Sequence, residues 1–343
     1  FHLGDYIYDF SAGNPVRHHP GGEPFTLEEY RLFHAAYKRD PDLQDAHAHC
    51  AWYMMWDDHE VVNDYANQSD PAYTDPAVFL ARRAAAYRAY FEHQPLRLGP
   101  DPSSPYAASM RLHDRLPWGR LADIWTLDCR QYRDPQACPD PVKGGGRVVL
   151  QCAELSQAKR SILGSEQEQW LFQGLRQSQR QWKVLGQSSL IASTRIDSPL
   201  GKTTYTDGWD GYPEARKRLN QQFVKNKVKN LVIFGGDVHE NWVGYIKEDY
   251  DNPNSSTLGV EFCGTSISTI GGGVKYLESR LAKNPHFIFA EATKKGYGVA
   301  EFTPRELVVT LRVVGSADEE KSTIETLAKF KVDTGTNKIT RIN

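Results

Sequence analysis

Three short clusters of acidic, histidine and tyrosine residues stand directly after apolar runs, and this placement restricts the fold more than any other feature of the chain. They are Gly4-Asp5-Tyr6-Ile7-Tyr8, Asp57-Asp58-His59-Glu60 and Gly236-Asp237-Val238-His239. An apolar run that stops at a loop marks the carboxyl end of a buried strand, where open α/β sheets collect their ligands. Asn230-Leu231-Val232-Ile233-Phe234 is short enough for such a strand and meets Gly235-Gly236, whose missing side chains let the backbone turn sharply. Residues 51–56 end in the same way, at two adjacent carboxylates and a histidine. Adjacent like charges are costly unless a cation neutralises them. One such pair alone is ordinary turn or cap chemistry, but three at strand ends predict convergence on a metal site.

The donor types narrow the ion. Carboxylate, phenol and imidazole favour a hard or borderline metal such as iron, manganese, zinc or calcium over a thiolate-bound one. Tyr8, three residues after Asp5, directs the choice toward ferric iron, for which a phenolate is a good partner.

Six segments carry a family likeness: HLGDYIYD, WDDHEVVND, LDCRQYRDPQ, DGWDGYPEAR, GGDVHENW and VEFCGTSIS. Together they resemble the alkaline phosphatase D (PhoD) family of metallophosphoesterases, whose phospholipase D-like members share these signatures. The likeness runs from His2 to about Pro304. It implies an α/β fold, the four-layer α/β/β/α phosphoesterase sandwich, with ferric iron and calcium in the site. It also implies hydrolysis of phosphate mono- and diesters by a metal-activated water. Asp5 resembles the carboxylate shared between metals, Tyr8 the phenolate on iron, and Asp58 the ligand that replaces asparagine in the purple acid phosphatase motif. Asp237 and His239 resemble the closing ligands of the last core strand. Asp57 is a weaker candidate, since neighbouring side chains on extended backbone face opposite sides.

His59 is similar to the histidine that faces the phosphoryl oxygens, with Glu60 as the group expected to orient its ring. Arg130 emerges at the end of the strand predicted over residues 121–127, where a guanidinium fits phosphate oxygens bidentately. An internal ion pair with Asp128 or a neighbour is the other reading of Arg130. The family's first core strand, with a cysteine ligand, lies upstream of the His-Leu-Gly-Asp motif, so a chain beginning at Phe1 is expected to lack it, either as a piece cut from a longer protein or as a gene fragment. Two alternatives stand beside hydrolysis of simple esters: phospholipid headgroup cleavage, and a non-catalytic metal- or phosphate-binding remnant.

With 343 residues and motifs from both ends meeting at one site, one catalytic domain is expected over residues 1–315, with a peripheral tail at 316–343. A formal net charge of −2 gives no electrostatic footprint for nucleic acid. No apolar run approaches the roughly 20 residues of a membrane span. A monomer acting on phosphate esters is expected, secreted, periplasmic or at the cell surface, with any signal upstream. Cys138 and Cys152 bracket a Pro-, Lys- and Gly-rich loop; a disulfide and two free thiols are both open. Cys50, Cys129 and Cys263 read as small buried hydrophobes.

Helices are predicted over residues 28–39, 75–93 and 213–225, and another from a Ser165/Glu168 capping box. Arg82, Arg83 and Arg88 read as a solvated face. Strands are predicted over residues 182–192, 298–303 and 306–314. Trp209 and Tyr212 stand either at a pocket wall or as core anchors.

Overall fold

The computed structural model describes residues 1–10, 19–194, 196–198, 201–269 and 274–343. A mixed seven-stranded sheet dominates it, in the order β12 (Phe287–Glu291), β10 (Asn241–Lys247), β11 (Thr257–Cys263), β9 (Leu231–Gly235), β6 (Trp182–Gln187), β4 (Ala122–Leu127) and β3 (Asp114–Trp118). The central strands β4, β6, β9 and β11 run parallel. Strands buried on both faces are continuously apolar, which is why these were legible as short runs without alternation. A parallel pair, β1 (His2–Leu3) with β2 (Met54–Met55), stands beside this sheet, His2 opposite Met54 and Leu3 opposite Met55.

One face of the large sheet packs on α4 (Ser165–Gln177) and α5 (Pro213–Lys225), through Trp125, Leu171, Leu175, Leu185, Leu219 and Phe223. The other packs on an antiparallel sheet of β13 (Gly296–Phe302), β14 (Glu306–Val314), β15 (Ile324–Asp333) and β16 (Ile339–Arg341), where Trp182, Val184 and Val232 meet Leu307, Val309 and Phe330. The expected tail is therefore not peripheral: Ala328, Phe330, Val332 and Ile339 bury their side chains in this second core. The sequence hid this because the two strands alternate apolar and polar residues across a half-exposed sheet, a weaker signal than a buried run. A small sheet joins β5 (Val148–Val149), β7 (Ile196–Ser198) and β8 (Gly201–Tyr205).

A third core surrounds the β1/β2 pair. It is built by α1 (Leu27–Tyr37) and α3 (Pro76–His93), whose Tyr30, Phe33, Phe79 and Tyr87 enclose Met54, Met55 and Trp56. Thr26 and Glu29 cap α1 reciprocally, and Asp75 caps α3 ahead of Pro76. α2 (Pro41–His49), which buries no residue, and α6 (Val274–Lys283), which buries Leu277, complete the α-helices among the described residues. None of these helices is long and apolar enough to cross a membrane.

Several local readings are corrected. Arg82 and Arg83 are buried, with Arg82 Nε donating to the Tyr30 hydroxyl at 2.9 Å and Arg83 Nε to the Ala108 carbonyl at 3.0 Å; Arg88 alone stays on the solvated face. The start of α4 is organised by Ser161, whose hydroxyl donates to Glu168 at 2.5 Å, while Ser165 already lies inside the helix. Cys50 is exposed at the end of α2; Cys129 and Cys263 are buried. Trp209 and Tyr212 are core anchors, with the Tyr212 hydroxyl donating to the Asp134 carbonyl at 2.6 Å.

Cys138 and Cys152 form a disulfide across 14 residues. A loop of that length restricts the unfolded chain by about 3 kcal/mol. Cys138→Ser is expected to lower the chemical denaturation midpoint accordingly, and reductant is expected to lower the parent's midpoint but not the variant's. Equal sensitivity of the two proteins to reductant would contradict this.

Candidate metal centre

The three clusters meet. Asp5 follows β1, Asp57 and Asp58 follow β2, Arg130 follows β4, and Asp237 and His239 follow β9. The approach of the first two loops depends on Gly4, where a Cβ would stand 2.5 Å from the Cβ of Asp57. Asp5, Asp237 and His239 each hold a left-handed backbone, with φ of 56°, 67° and 56°. Non-glycine residues in that region carry strain that surrounding structure must impose, and such residues gather at functional sites.

Glu60 imposes part of it. Its buried carboxylate accepts the backbone N–H groups of Asp5 at 3.0 Å, Ile7 at 3.4 Å and Asp57 at 2.7 Å, and that of Tyr6 as well. Glu60 thus ties the first cluster to the second and does not orient His59, as the sequence suggested. The latter task falls to Asp9, which sequence reasoning missed: its Oδ1 lies 2.5 Å from His59 Nδ1, and its Oδ2 accepts from the Asn63 N–H at 3.2 Å. The His239 carbonyl is held by the Thr265 hydroxyl at 3.1 Å and Lys295 Nζ at 3.2 Å.

The Tyr8 ring stacks on His59 with centroids 4.1 Å apart. The Tyr8 oxygen lies 2.9 Å from His239 Nε2 and donates to Asp5 Oδ2 at 3.4 Å. Ligand atoms of Asp5, Asp58 and His59 fall within 4.8 Å of one another. Ser189 donates to Asp237 Oδ2 at 3.2 Å. Asp57 pairs through Oδ1 with Arg130 Nε, and the same guanidinium reaches Asp58, so the two neighbouring carboxylates share one cation.

Arg130 is fully engaged by protein. Besides Asp57, its guanidinium lies 2.9 Å from Asp207 Oδ2 and 3.5 Å from Asp58 Oδ1, at 2 % exposure. Of the two readings of Arg130, the structure has the internal ion pair. Asp207, also missed, opens the segment DGWDGYPEAR, of which the sequence offers only Trp209 and Tyr212 to a pocket. Asp64 joins it: Asp58, Asp64 and Asp207 form a second group of carboxylates within 4.8 Å.

The electrostatics indicate a cation. Burial, reinforced by Asp58, Asp57 and Glu60, raises the Asp5 carboxyl well above its usual range. Burial and then Asp57 do the same to Asp237. Burial and Asp5 push the Tyr8 phenol up. Burial works to lower His59, but Asp58, Asp5 and Asp9 outweigh it and push the imidazole up to about 11. Asp207 is held down at about 2, burial being overcome by Arg130 and Arg133. Among the described residues, Asp5 Oδ1 and Asp57 Oδ2 are buried without a hydrogen-bond partner, and Asp58 Oδ1 has only the ion pair with Arg130. Buried oxygens of this kind call for a ligand, and a multivalent ion fits carboxylate, phenol and imidazole donors.

The family model for the PhoD-like phosphatases matches residues 1–311. The chain belongs to this family. Alkaline phosphatase D of Bacillus subtilis (strain 168) is 38% identical over 353 aligned residues, which take in 99% of this chain and 58% of the relative. A solved structure of PhoD superposes with a TM-score of 0.91 at 36% identity, covering all of this chain and 66% of the other. The chain thus spans just under two thirds of the solved relative and less of the curated one. The likeness read from HLGDYIYD, WDDHEVVND and GGDVHENW is thereby established at the level of the family.

Asp9→Asn is expected to slow any phosphoesterase turnover by about 10², because the amide no longer holds the imidazole as a charged donor. Thermal stability and bound metal should change little. A loss of metal equal to the loss of turnover would show that Asp9 serves the fold of the site and not His59.

Proposed function

We propose that this chain is the catalytic unit of a metal-dependent phosphoesterase that hydrolyses phosphate mono- and diesters. The observation that carries the reading is the meeting of Asp5, Tyr8, Asp58 and His239 around buried carboxylate oxygens without a hydrogen-bond partner among the described residues. The name of the curated relative, alkaline phosphatase D, supports the reaction class. Ferric iron suits the Tyr8 phenolate and calcium the carboxylates. Asp5, Tyr8, Asp58, Asp237 and His239 would hold them, with Asp57 offering Oδ2 while its Oδ1 stays on Arg130. Ions held by these residues would supply positive charge for the phosphoryl oxygens and lower the pKa of an attacking water.

The chain's own contribution is order and a proton. Asp9 occupies Nδ1 of His59, which leaves Nε2 to face the substrate. The imidazolium formed there donates to the phosphoryl group and protonates the departing oxygen. Glu60 fixes Asp5 and Asp57 by their backbones, and Arg130 fixes Asp57, Asp58 and Asp207 by their side chains, so Arg130 acts on substrate only through them. Two sheets packed face to face fit the metallophosphoesterase sandwich. Residues 1–315 carry every proposed site residue, and the remainder braces the second sheet. The disulfide suits a secreted or surface protein, since such bonds persist in oxidising compartments.

The test is hydrolysis of p-nitrophenyl phosphate and bis-p-nitrophenyl phosphate by the purified chain after reconstitution with ferric iron and calcium. Release of p-nitrophenol that stops on chelation is expected. A fully loaded chain that cleaves neither ester would end the proposal and leave a binding role.

A further inference from the structure

We propose that the loop of residues 138–152 is a positioning element for the metal centre: acting through Asp64, it fixes the carboxylate of Asp58 and thereby sets the affinity for metal. The proposal rests on the reading of Asp58 as a metal ligand.

The loop is closed at its base by the disulfide between Cys138 and Cys152. Along its length it is tied to the segment that follows Asp58. The Tyr73 hydroxyl donates to the Asp140 carbonyl at 2.6 Å, the Gly144 N–H to the Pro71 carbonyl at 2.7 Å, and the Gly146 N–H to Asp64 Oδ2 at 2.8 Å. Only glycine permits the closest part of this approach. A Cβ on Gly146 would collide with the Cβ of Asp207, and one on Gly145 would stand 2.8 Å from Asp64 Oδ2. Beyond the glycines the chain is held again, where the Thr206 N–H donates to the Arg147 carbonyl at 3.0 Å.

Asp64 passes this hold to the metal centre. Its own N–H donates to Asp58 Oδ2 at 2.6 Å. Its carbonyl accepts from Gln136 Nε2 at 2.8 Å, and the same amide reaches Asp207 Oδ1 at 2.7 Å. Asp64 keeps a left-handed backbone, with φ of 57°. For a residue other than glycine, that conformation has to be imposed by its surroundings. Gly146 grips the side chain and Gln136 the carbonyl, and the N–H between them is thereby aimed at Asp58. With Oδ2 held from behind, Asp58 stands in its group with Asp5 and His59. Its Oδ1 has only the Arg130 ion pair at 3.5 Å and is the oxygen open to an ion. Groups that orient a ligand in this way typically govern metal affinity by about 10- to 100-fold.

The test is the calcium affinity of the iron-loaded chain by titration calorimetry, read beside the urea midpoint. Asp64→Gly accepts the left-handed backbone but removes the acceptor for Gly146, and is expected to weaken calcium binding by about 10- to 100-fold. Gly146→Ala forces the loop away from Asp207 and is expected to act in the same direction. Asp64→Asn keeps a side-chain oxygen for the Gly146 N–H on a residue that tolerates this backbone, and is expected to recover most of the affinity. An equal loss in Asp64→Asn and Asp64→Gly would make Asp64 a ligand in its own right and overturn the positioning role. Unchanged affinity in Asp64→Gly and Gly146→Ala, with only the urea midpoint lowered, would reduce the loop to a brace for the fold. A parent that takes up no calcium would end the metal-centre reading and this proposal with it. A parent that binds calcium and cleaves no ester would end the phosphoesterase reading alone, and the affinities of the variants would still decide whether the loop positions Asp58.

Discussion

Asp5→Ala is expected to bind no stoichiometric cation and to lose more than about a thousandfold of any phosphoesterase turnover. Asp5 is the carboxylate, among the described residues, that reaches both Tyr8 and the cluster with Asp58 and His59. Its Oδ1 has no hydrogen-bond partner among the described residues, so its contribution lies in what it binds. The fold should survive, because the backbone N–H that anchors this turn to Glu60 remains. Asp5→Asn is the cleaner companion, since asparagine tolerates the left-handed backbone better than alanine.

A pH dependence follows with a definite sign. Asp5 and Asp237 hold their protons well above the usual carboxylate range, so a metal must displace protons to enter. Loading is therefore expected to release protons and to weaken as the pH falls. Full metal content and turnover in either Asp5 variant would take this residue out of the centre.

Arg130→Met is expected to cost about 3–5 kcal/mol of stability, read as a shift in the urea midpoint. The substitution leaves Asp57, Asp58 and Asp207 buried at 3 % exposure or less without their common cation. Arg130→Lys should not restore the loss, since one ammonium cannot replace a planar fork that serves three carboxylates. Adding Asp207→Asn to Arg130→Met should recover part of it by removing one of the stranded charges. A stability loss below about 1 kcal/mol in Arg130→Met would mean that water reaches these carboxylates.

Much of the centre was legible because it obeys strand-end logic. Asp5, Asp58, Asp237 and His239 each follow an apolar run, and in the structure those runs are β1, β2 and β9. The residues that escaped notice act on other residues and not at strand ends. Asp9 closes the same run as Tyr8, and nothing in the alternation of Tyr6, Ile7 and Tyr8 says that its carboxylate turns back to His59. Glu60 was seen but misassigned, because adjacency in sequence to His59 suggested contact. The carboxylate instead reaches across to backbone 53–55 positions away, which no local pattern encodes. Arg82 and Arg83 misled for a similar reason: their partners, Tyr30 and the Ala108 carbonyl, come from distant segments. The second sheet was only half legible, since β15 and β16 alternate over a layer that is exposed on one side.

Metal stoichiometry of the purified chain tests the central claim most directly. After loading with ferric iron and calcium and removal of excess ion, elemental analysis should find bound metal in the parent and none in Asp5→Ala or Asp237→Ala, with all three chains equally folded by circular dichroism. Equal metal in parent and variants, or none in a folded parent, would contradict the assignment of these three clusters to one metal centre.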